Sequence, residues 1–448
     1  MTLDSPSFTV FTWGCQMNED DSAQIASLLI KMGYQPTSDL TKADVIMLNT
    51  CSVRAKPEQK AKSKLGELRE IKKENPDLII GVCGCMAQRQ AGKIRQSAPY
   101  VDMIVGTGQI EQIPEMICSV IRSRQPLSAL ELPRAAADSP TLPKRTLREG
   151  PIGLKTFVPV TYGCDNFCAY CIVPYVRGKE RSRPLSEIVD EVRFLADSGC
   201  CEITLLGQNV NSYAAPGKPS ADFADLLAAL NDVDGIERIR FTTSHPKDLS
   251  DKLIRAIADV PKVCEHIHLP IQAGDNETLR RMKRGYTVEH YKERVETLRS
   301  AVPEAAITTD ILVGFPGETE DAFNNTLKLI EEIRFDSAFM FAFNAIERTA
   351  AAAFPDQLSY KIKNARLNEV VQTQNRITLE INSEQVGQEF EVMVEGRSPK
   401  NPDRLTGLTR QNKTVNFPLS SATAGKTVTV RAAEAHLYGF TGEITNDR

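Results

Sequence analysis

Cys164-Asp165-Asn166-Phe167-Cys168-Ala169-Tyr170-Cys171 places three cysteines on one short stretch, with three and then two residues between them. Three thiolates so close together can hold three irons of a cubane iron–sulfur cluster and leave the fourth iron open to a substrate or cofactor. A cluster with four protein ligands usually only passes electrons, so the count of three points to catalysis. Zinc sites more often show two C-x2-C pairs, or one pair with closely spaced histidines, and the nearest histidine here is His245. Met1 to Val10 has neither a basic segment nor an apolar run of the secretory kind. Reduced thiols and a cytoplasmic protein are therefore expected, rather than a disulfide.

The surroundings of this loop set the fold class, which is α/β. It follows the strand-like run Phe157 to Thr161, and five more such runs alternate with helical patterns: Glu202 to Leu206, Arg238 to Thr243, His266 to Ile271, Ile307 to Val313 and Ala338 to Phe343. Six βα units predict a partial barrel that does not close, because a complete eight-unit barrel needs about 250 residues. An open side would admit a bulky substrate. The cysteine loop then sits at the C-terminal face, where barrel active sites form. Gly207-Gln208, Gln272-Ala273-Gly274 and Gly314-Phe315-Pro316-Gly317 follow the second, fourth and fifth strands, as ligand-touching loops or as ordinary turns. Tyr170, Gln208 and Gln272 are the candidate cofactor-binding side chains.

Upstream, one unit repeats three times: an apolar run, a cysteine, then a polar or helical stretch. Phe8 to Trp13 leads to Cys15, Val45 to Thr50 to Cys51, and Leu78 to Gly84 to Cys85. These read as βα units of an open parallel sheet, whose ligand site lies beyond the carboxyl ends of the strands. A second triad there again matches a cluster with one open iron. Three unrelated thiols would give the same spacing, but not the shared strand-end position. Cys83 competes with Cys85 as a ligand, yet it falls inside the apolar run and is expected to pack. Cys118, Cys200, Cys201 and Cys264 read as structural.

At 448 residues the chain has room for three domains. Residues 1–124 form the first, and residues 125–150, with four prolines among small and charged side chains and a fifth at Pro151, a linker. Residues 151–382 form the barrel and 383–448 a small β-barrel, whose short strands alternate as in Phe390, Val392 and Val394. No apolar run approaches the length of a membrane span. The net charge of -4 excludes a uniformly basic nucleic-acid binder. Local patches differ: Arg280, Arg281, Lys283 and Arg284 cluster, as do Arg177, Lys179, Arg181 and Arg183, and Arg397, Lys400, Arg404, Arg410 and Lys413 dot the small barrel. These are candidate phosphate contacts or solvated faces.

From Thr161 to Arg183 the chain reads TYGCDNFCAYCIVPYVRGKERSR, which resembles the radical S-adenosylmethionine methylthiotransferases. Trp13-Gly14-Cys15-Gln16-Met17-Asn18, Asn49-Thr50-Cys51-Ser52-Val53-Arg54 and Gly84-Cys85-Met86-Ala87-Gln88 resemble that family's N-terminal motifs, and the last domain is similar to a TRAM domain. The resemblance implies a cluster with four irons and four sulfurs on Cys164, Cys168 and Cys171 that cleaves S-adenosylmethionine. It also implies a second 4Fe-4S cluster, on Cys15, Cys51 and Cys85, that gives up sulfur. The stretch from Tyr175 to Arg183 resembles the branch acting on isopentenylated adenosine in tRNA, which implies an anticodon stem-loop as partner and a flavodoxin or ferredoxin as electron donor. Sibling branches act on threonylcarbamoyl-adenosine or on a ribosomal-protein aspartate. A non-catalytic iron–sulfur protein that binds RNA is the reading from another class. Two departures stand out. Phe343-Asn344-Ala345-Ile346-Glu347-Arg348-Thr349 occupies the place of the family's Tyr-Ser-x-Arg-Pro-Gly-Thr turn, and Gln272-Ala273-Gly274 that of a common Gln-Ser-Gly.

Overall fold

The computed structural model describes residues 5–52, 55–132, 145, 147–217 and 220–447. Half of the linker stretch 125–150, including Pro133, Pro140 and Pro143, lies outside the described residues, as do Val53 and Arg54.

The first domain contains β1 (Ser7–Trp13), α1 (Gln16–Lys31), β2 (Gln35–Pro36), β3 (Val45–Thr50), α2 (Ala55–Glu74), β4 (Ile79–Gly84), α3 (Cys85–Ser97), β5 (Met103–Val105), α4 (Ile113–Ser123) and β6 (Leu127–Ala129). The strands form one parallel sheet in the order β2-β1-β3-β4-β5-β6. Every residue of β3 and β4 is buried, as continuous apolar runs in a sheet covered on both faces require. Side chains alternate accordingly. Val45 and Met47 pack with Ile25 and Leu29 of α1, whereas Ile46 and Leu48 pack with Leu65 and Leu68 of α2.

The second domain runs through β7 (Lys155–Pro159), the two-stranded ribbon β8 (Thr161–Tyr162) and β9 (Arg181–Ser182) with α5 (Val173–Arg177) between them, and α6 (Leu185–Asp197). It continues with β10 (Glu202–Leu206), α7 (Phe223–Asn231), β11 (Arg238–Thr242), α8 (Asp251–Asp259), β12 (His266–His268), α9 (Asn276–Arg281) and α10 (Val288–Ala301). Then come β13 (Ala306–Val313), α11 (Glu320–Ile333), β14 (Ser337–Ala342) and α12 (Tyr360–Glu384). Six parallel strands form two halves, β7-β10-β11 and β12-β13-β14, joined by a bridge between Ile239 and Val263. Among the described residues β14 pairs only with β13, so the barrel stays open at that edge, as six units predict.

The third domain is a closed barrel of β15 (Glu389–Ser398), β16 (Asn401–Thr409), β17 (Thr414–Pro418), β18 (Thr427–His436) and β19 (Gly439–Asp447) around Val392, Val394, Phe417, Val430 and Phe440. It docks on the large barrel through buried arginines. Arg238 donates to the Leu408 carbonyl at 2.7 Å and to Glu391 at 2.9 Å, and Arg240 donates to the carbonyls of Thr409 and Arg410 at 2.8 Å each. No helix among the described residues is long and apolar enough to cross a membrane.

Candidate active site

The loop from Cys164 to Cys171 is pinned by its backbone. The Cys164 N–H donates to the Gly178 carbonyl at 3.2 Å, and Ala169 donates to Met282 at 2.9 Å. Cys164 and Cys168 are buried, and Cys171 is half-buried. Burial, followed by the neighbouring Cys168 sulfur, pushes the Cys171 thiol up to about 12, and burial likewise raises Cys164. Thiols that oppose one another's ionisation in a buried site form a donor set that bound cations relieve. Arg284 fixes one side. Its Nη1 lies 3.4 Å from both Cys168 Sγ and Tyr170 Oη, its Nη2 donates to Pro270 at 3.0 Å, and its Nε donates to Tyr286 Oη at 2.9 Å.

The second triad arises from strand register. Trp13 pairs with Thr50 and Thr50 with Gly84, so the ends of β1, β3 and β4 are level. Adjacent strands lie about 4.8 Å apart, which brings Cys15, Cys51 and Cys85 to one edge of the sheet. Cys15 caps α1 and Cys85 begins α3, where helix N-termini favour negative charge. Gly84 makes the sharp turn with φ of 88°; a Cβ there would lie 2.5 Å from the Thr50 carbonyl oxygen. Burial raises the Cys85 thiol, the Arg177 guanidinium opposes the rise, and Cys15 adds to it. Cys83 is fully buried with Val45, Met47 and Val105, in the packing position expected for it.

Among the described residues no three His, Cys, Asp or Glu side chains stand close enough to grip one metal ion. A cubane distributes its cysteines over different irons, so its ligands need not converge on a point. A cavity of about 780 Å³ joins Cys15 of the first-domain triad to the cysteine loop, while Cys51 and Cys85 are not on its wall. Cys15 opens onto it from the first domain, Cys164, Cys168 and Cys171 from the second, and Asn412 and Tyr438 from the third. Tyr170, Gln208 and Gln272 all line it. Three buried polar atoms on its wall, Gln208 Oε1, Ser244 Oγ and His245 Nε2, have no hydrogen-bond partner among the described residues. Such atoms fit a polar ligand.

A profile of the radical SAM superfamily matches residues 158–330, one of an uncharacterised family, UPF0004, matches 7–106, and one of the TRAM domain matches 383–445. The tRNA-2-methylthio-N(6)-dimethylallyladenosine synthase of Moorella thermoacetica is 46% identical over 448 residues, covering 98% of each chain. The protein of the same name from Desulforamulus reducens is 46% identical over 442 residues, covering 98% of this chain and 96% of its own. The chain belongs to the tRNA-2-methylthio-N(6)-dimethylallyladenosine synthase family. Among solved structures, the radical S-adenosylmethionine methyltransferase TsrM from Kitasatospora setae shares the fold, with a TM-score of 0.59 at 13% identity over 88% of this chain and 79% of its own.

For a member of this synthase family, the basic residues sort unexpectedly. Arg280 and Lys283 are exposed, Arg280 beside Glu277, and Arg281 pairs with Asp356 at 2.6 Å. Arg284 is a correction: it is buried against the cysteine loop and does not face a nucleic-acid backbone. Arg410 grips Glu265 at 2.6 Å and the Val263 carbonyl at 2.6 Å, and the buried Lys413 meets Asp336 at 3.0 Å and Asn382 at 2.9 Å. Both hold domains together instead of forming an outer phosphate patch. Arg397, Lys400 and Arg404 stay at least partly exposed. In the run from Arg177 to Arg183, Arg177 and Arg183 are buried, against Asp21 at 2.8 Å and Glu191 at 2.6 Å.

Several site residues escaped the sequence reading. Ser244 and His245 follow β11, the third barrel strand, whose turn was passed over although barrel geometry treats all strand ends alike. Asn18 and Asn49 were visible only as motif letters. Asn18 Nδ2 donates to Asn49 Oδ1 at 2.8 Å, Asn49 Nδ2 donates to the Asn18 carbonyl at 2.8 Å, and Cys15 Sγ lies 3.4 Å from Asn18 Oδ1. This buried pair ties the first turn of α1 to the end of β3 beneath the triad. Of the departures, Ala273 is buried in the barrel core and is not on the cavity wall. Ile346 stands where the family turn has arginine and packs with Cys85, Ile172 and Val176. Arg348 stands at the turn's glycine and has φ of 81°.

Burial, then Arg284, pushes His245 down to about 2, and burial, then Arg240, pushes His266 down to about 3. Both therefore stay neutral in the fold but take up a proton near pH 6.5 when unfolded. Folding stability should fall as pH drops below 6.5, by about 1.4 kcal/mol per pH unit for each histidine. Hydrogen exchange across β11 and β12 at pH 7.5 and 5.5 measures this locally, and His266→Gln should remove its share of the loss.

Proposed function

We propose that this protein adds a methylthio group to carbon 2 of N6-isopentenylated adenosine in tRNA, beside the anticodon. Cys164, Cys168 and Cys171 would hold one 4Fe-4S cluster and Cys15, Cys51 and Cys85 a second, and the polar atoms of Gln208, Ser244 and His245 would take S-adenosylmethionine. The observation that carries this reading is the cavity onto which Cys15 of the first domain and all three loop cysteines open. When bound, these groups supply reductive cleavage of the sulfonium, hydrogen abstraction from the base, and the sulfur and methyl that replace the hydrogen.

The side chains of the chain itself bind, orient and exclude water. Arg284 keeps a fixed positive charge beside Cys168 and orients Tyr170. Gln208, Ser244 and His245 offer unpartnered polar atoms to the cofactor, and His245 does so as a neutral imidazole. Gln272 stands on the cavity wall with φ of 73°, its N–H bonded to the Asp310 carbonyl at 2.9 Å. The exposed Arg280, Lys283, Arg397 and Lys400 and the half-buried Arg404 meet the phosphates of the anticodon stem-loop. Flavodoxin or ferredoxin donates the electron, and the protein works in the cytoplasm, with its tRNA.

The test is anoxic incubation of the cluster-loaded protein with S-adenosylmethionine, a reductant and an isopentenylated anticodon stem-loop, followed by nucleoside mass spectrometry. Methylthio-isopentenyladenosine is expected. Product only on a threonylcarbamoylated stem-loop or a ribosomal-protein peptide would overturn the substrate, and absence of cofactor cleavage would overturn the enzyme.

A further inference from the structure

We infer that Phe339 is the platform that receives the isopentenyl group of the substrate, and so sets the preference for modified over unmodified adenosine. This rests on the function proposed above. Phe339 lies on β14, the free edge strand of the open barrel, and with Ser337, two residues earlier, it lines the cavity shared by the cysteine sites. It is 58% exposed, although strand residues of a closed barrel would be covered. Its ring is braced. His268 packs edge-on against it at 5.8 Å, and His268 is itself held by Thr308 Oγ1 at 3.0 Å and Asp310 Oδ1 at 3.5 Å. An aromatic face held in place on a cavity wall and left uncovered gains by burial when an apolar group docks on it.

The position of Phe339 names the occupant. The unpartnered polar atoms of the cavity follow β10 and β11, in the other half of the strand order, whereas Phe339 offers a bare aromatic face on β14, beside the polar Ser337 and Asp310. The polar cofactor and the apolar substituent thus have different contacts to make. In adenine, carbon 2 and the carbon bearing N6 flank N1 on one ring, so a base offering carbon 2 to the cysteine sites projects its N6 substituent several ångströms away. A five-carbon branched hydrocarbon matches Phe339, while a threonylcarbamoyl group would bring a carboxylate against it.

The experiment compares affinities of two anticodon stem-loops, one with isopentenyladenosine and one with adenosine, for the cluster-loaded protein and its variants, by fluorescence anisotropy without reductant. The wild type should prefer the modified RNA by about tenfold or more, the scale set by a few buried methylenes. Phe339→Asn should cut that preference to about threefold or less while leaving affinity for unmodified RNA within about twofold. Phe339→Leu should keep most of it. The site is exposed, so both variants are expected to fold, which circular dichroism checks. A wild type without preference, an unchanged preference in Phe339→Asn, or equal weakening toward both RNAs would each overturn the inference. If the wild type also fails to modify the isopentenylated RNA, the proposed function falls; if it modifies that RNA, only the role of Phe339 does.

Discussion

Cys168→Ala should abolish cleavage of S-adenosylmethionine, whereas Cys51→Ala should leave cleavage measurable and stop methylthio transfer, each loss being at least ~10³-fold. The two sites differ in their place in the fold, and that difference makes the effects separable. Cys168 lies on a loop bonded to Gly178 and Met282, with Arg284 against its sulfur. Cys51 lies at the end of β3, between the level ends of β1 and β4. Each variant should lose about four irons on reconstitution, and the optical and paramagnetic signature of the other cluster should persist. Cys83 supplies the control. Its sulfur is fully buried, so Cys83→Ala should lower stability by about 1 kcal/mol and keep both activities. Deoxyadenosine by chromatography, product nucleoside by mass spectrometry and iron by chelation measure the three quantities. Full methylthio transfer by Cys51→Ala would sink the assignment of the first-domain triad.

Legibility from sequence followed the range of the interactions. The three βα units and six barrel strands were visible because apolar periodicity is local, and the shared strand-end position of Cys15, Cys51 and Cys85 followed from a cysteine one or two residues after each apolar run. Charged residues were misread where their partners are distant. Arg177 finds Asp21, Arg410 finds Glu265 and Lys413 finds Asp336, and nothing in a basic run announces a tertiary acid. Arg284 was placed with an RNA-facing cluster because its neighbours Arg280 and Lys283 are exposed, yet the chain turns at Lys283, with φ of 59°, and carries Arg284 inward. The atypical turn was readable as a departure but not in its consequence. Only the fold shows that Ile346 covers Cys85 from the barrel side.

The Arg177–Asp21 pair should show an asymmetric response to mutation, because its two members can discharge differently. Asp21 lies on α1, which begins at Cys15; Arg177 ends α5, which follows Cys171, so their 2.8 Å contact ties one cysteine site to the other. Both are buried. Asp21→Ala leaves a guanidinium that cannot lose its proton, and the unpaired buried charge should cost about 3–5 kcal/mol at any pH between 5 and 8. Arg177→Met leaves a carboxyl that can neutralise itself. Burial already raises Asp21 above the usual carboxylate range, against the pull of Arg177, and removing Arg177 raises it further. A carboxyl raised in the fold favours the folded state below its unfolded pKa, and that advantage disappears as pH climbs through the folded value. The deficit of Arg177→Met should therefore be small at pH 5 and grow toward pH 8, while that of Asp21→Ala stays flat. Hydrogen exchange across α1 and α5 of the cluster-free protein at the two pH values reads the difference locally, where a multidomain chain gives no single unfolding free energy. Parallel pH profiles for the two variants would mean that Arg177 and Asp21 do not form one buried pair, and that the two cysteine sites are not tied through them.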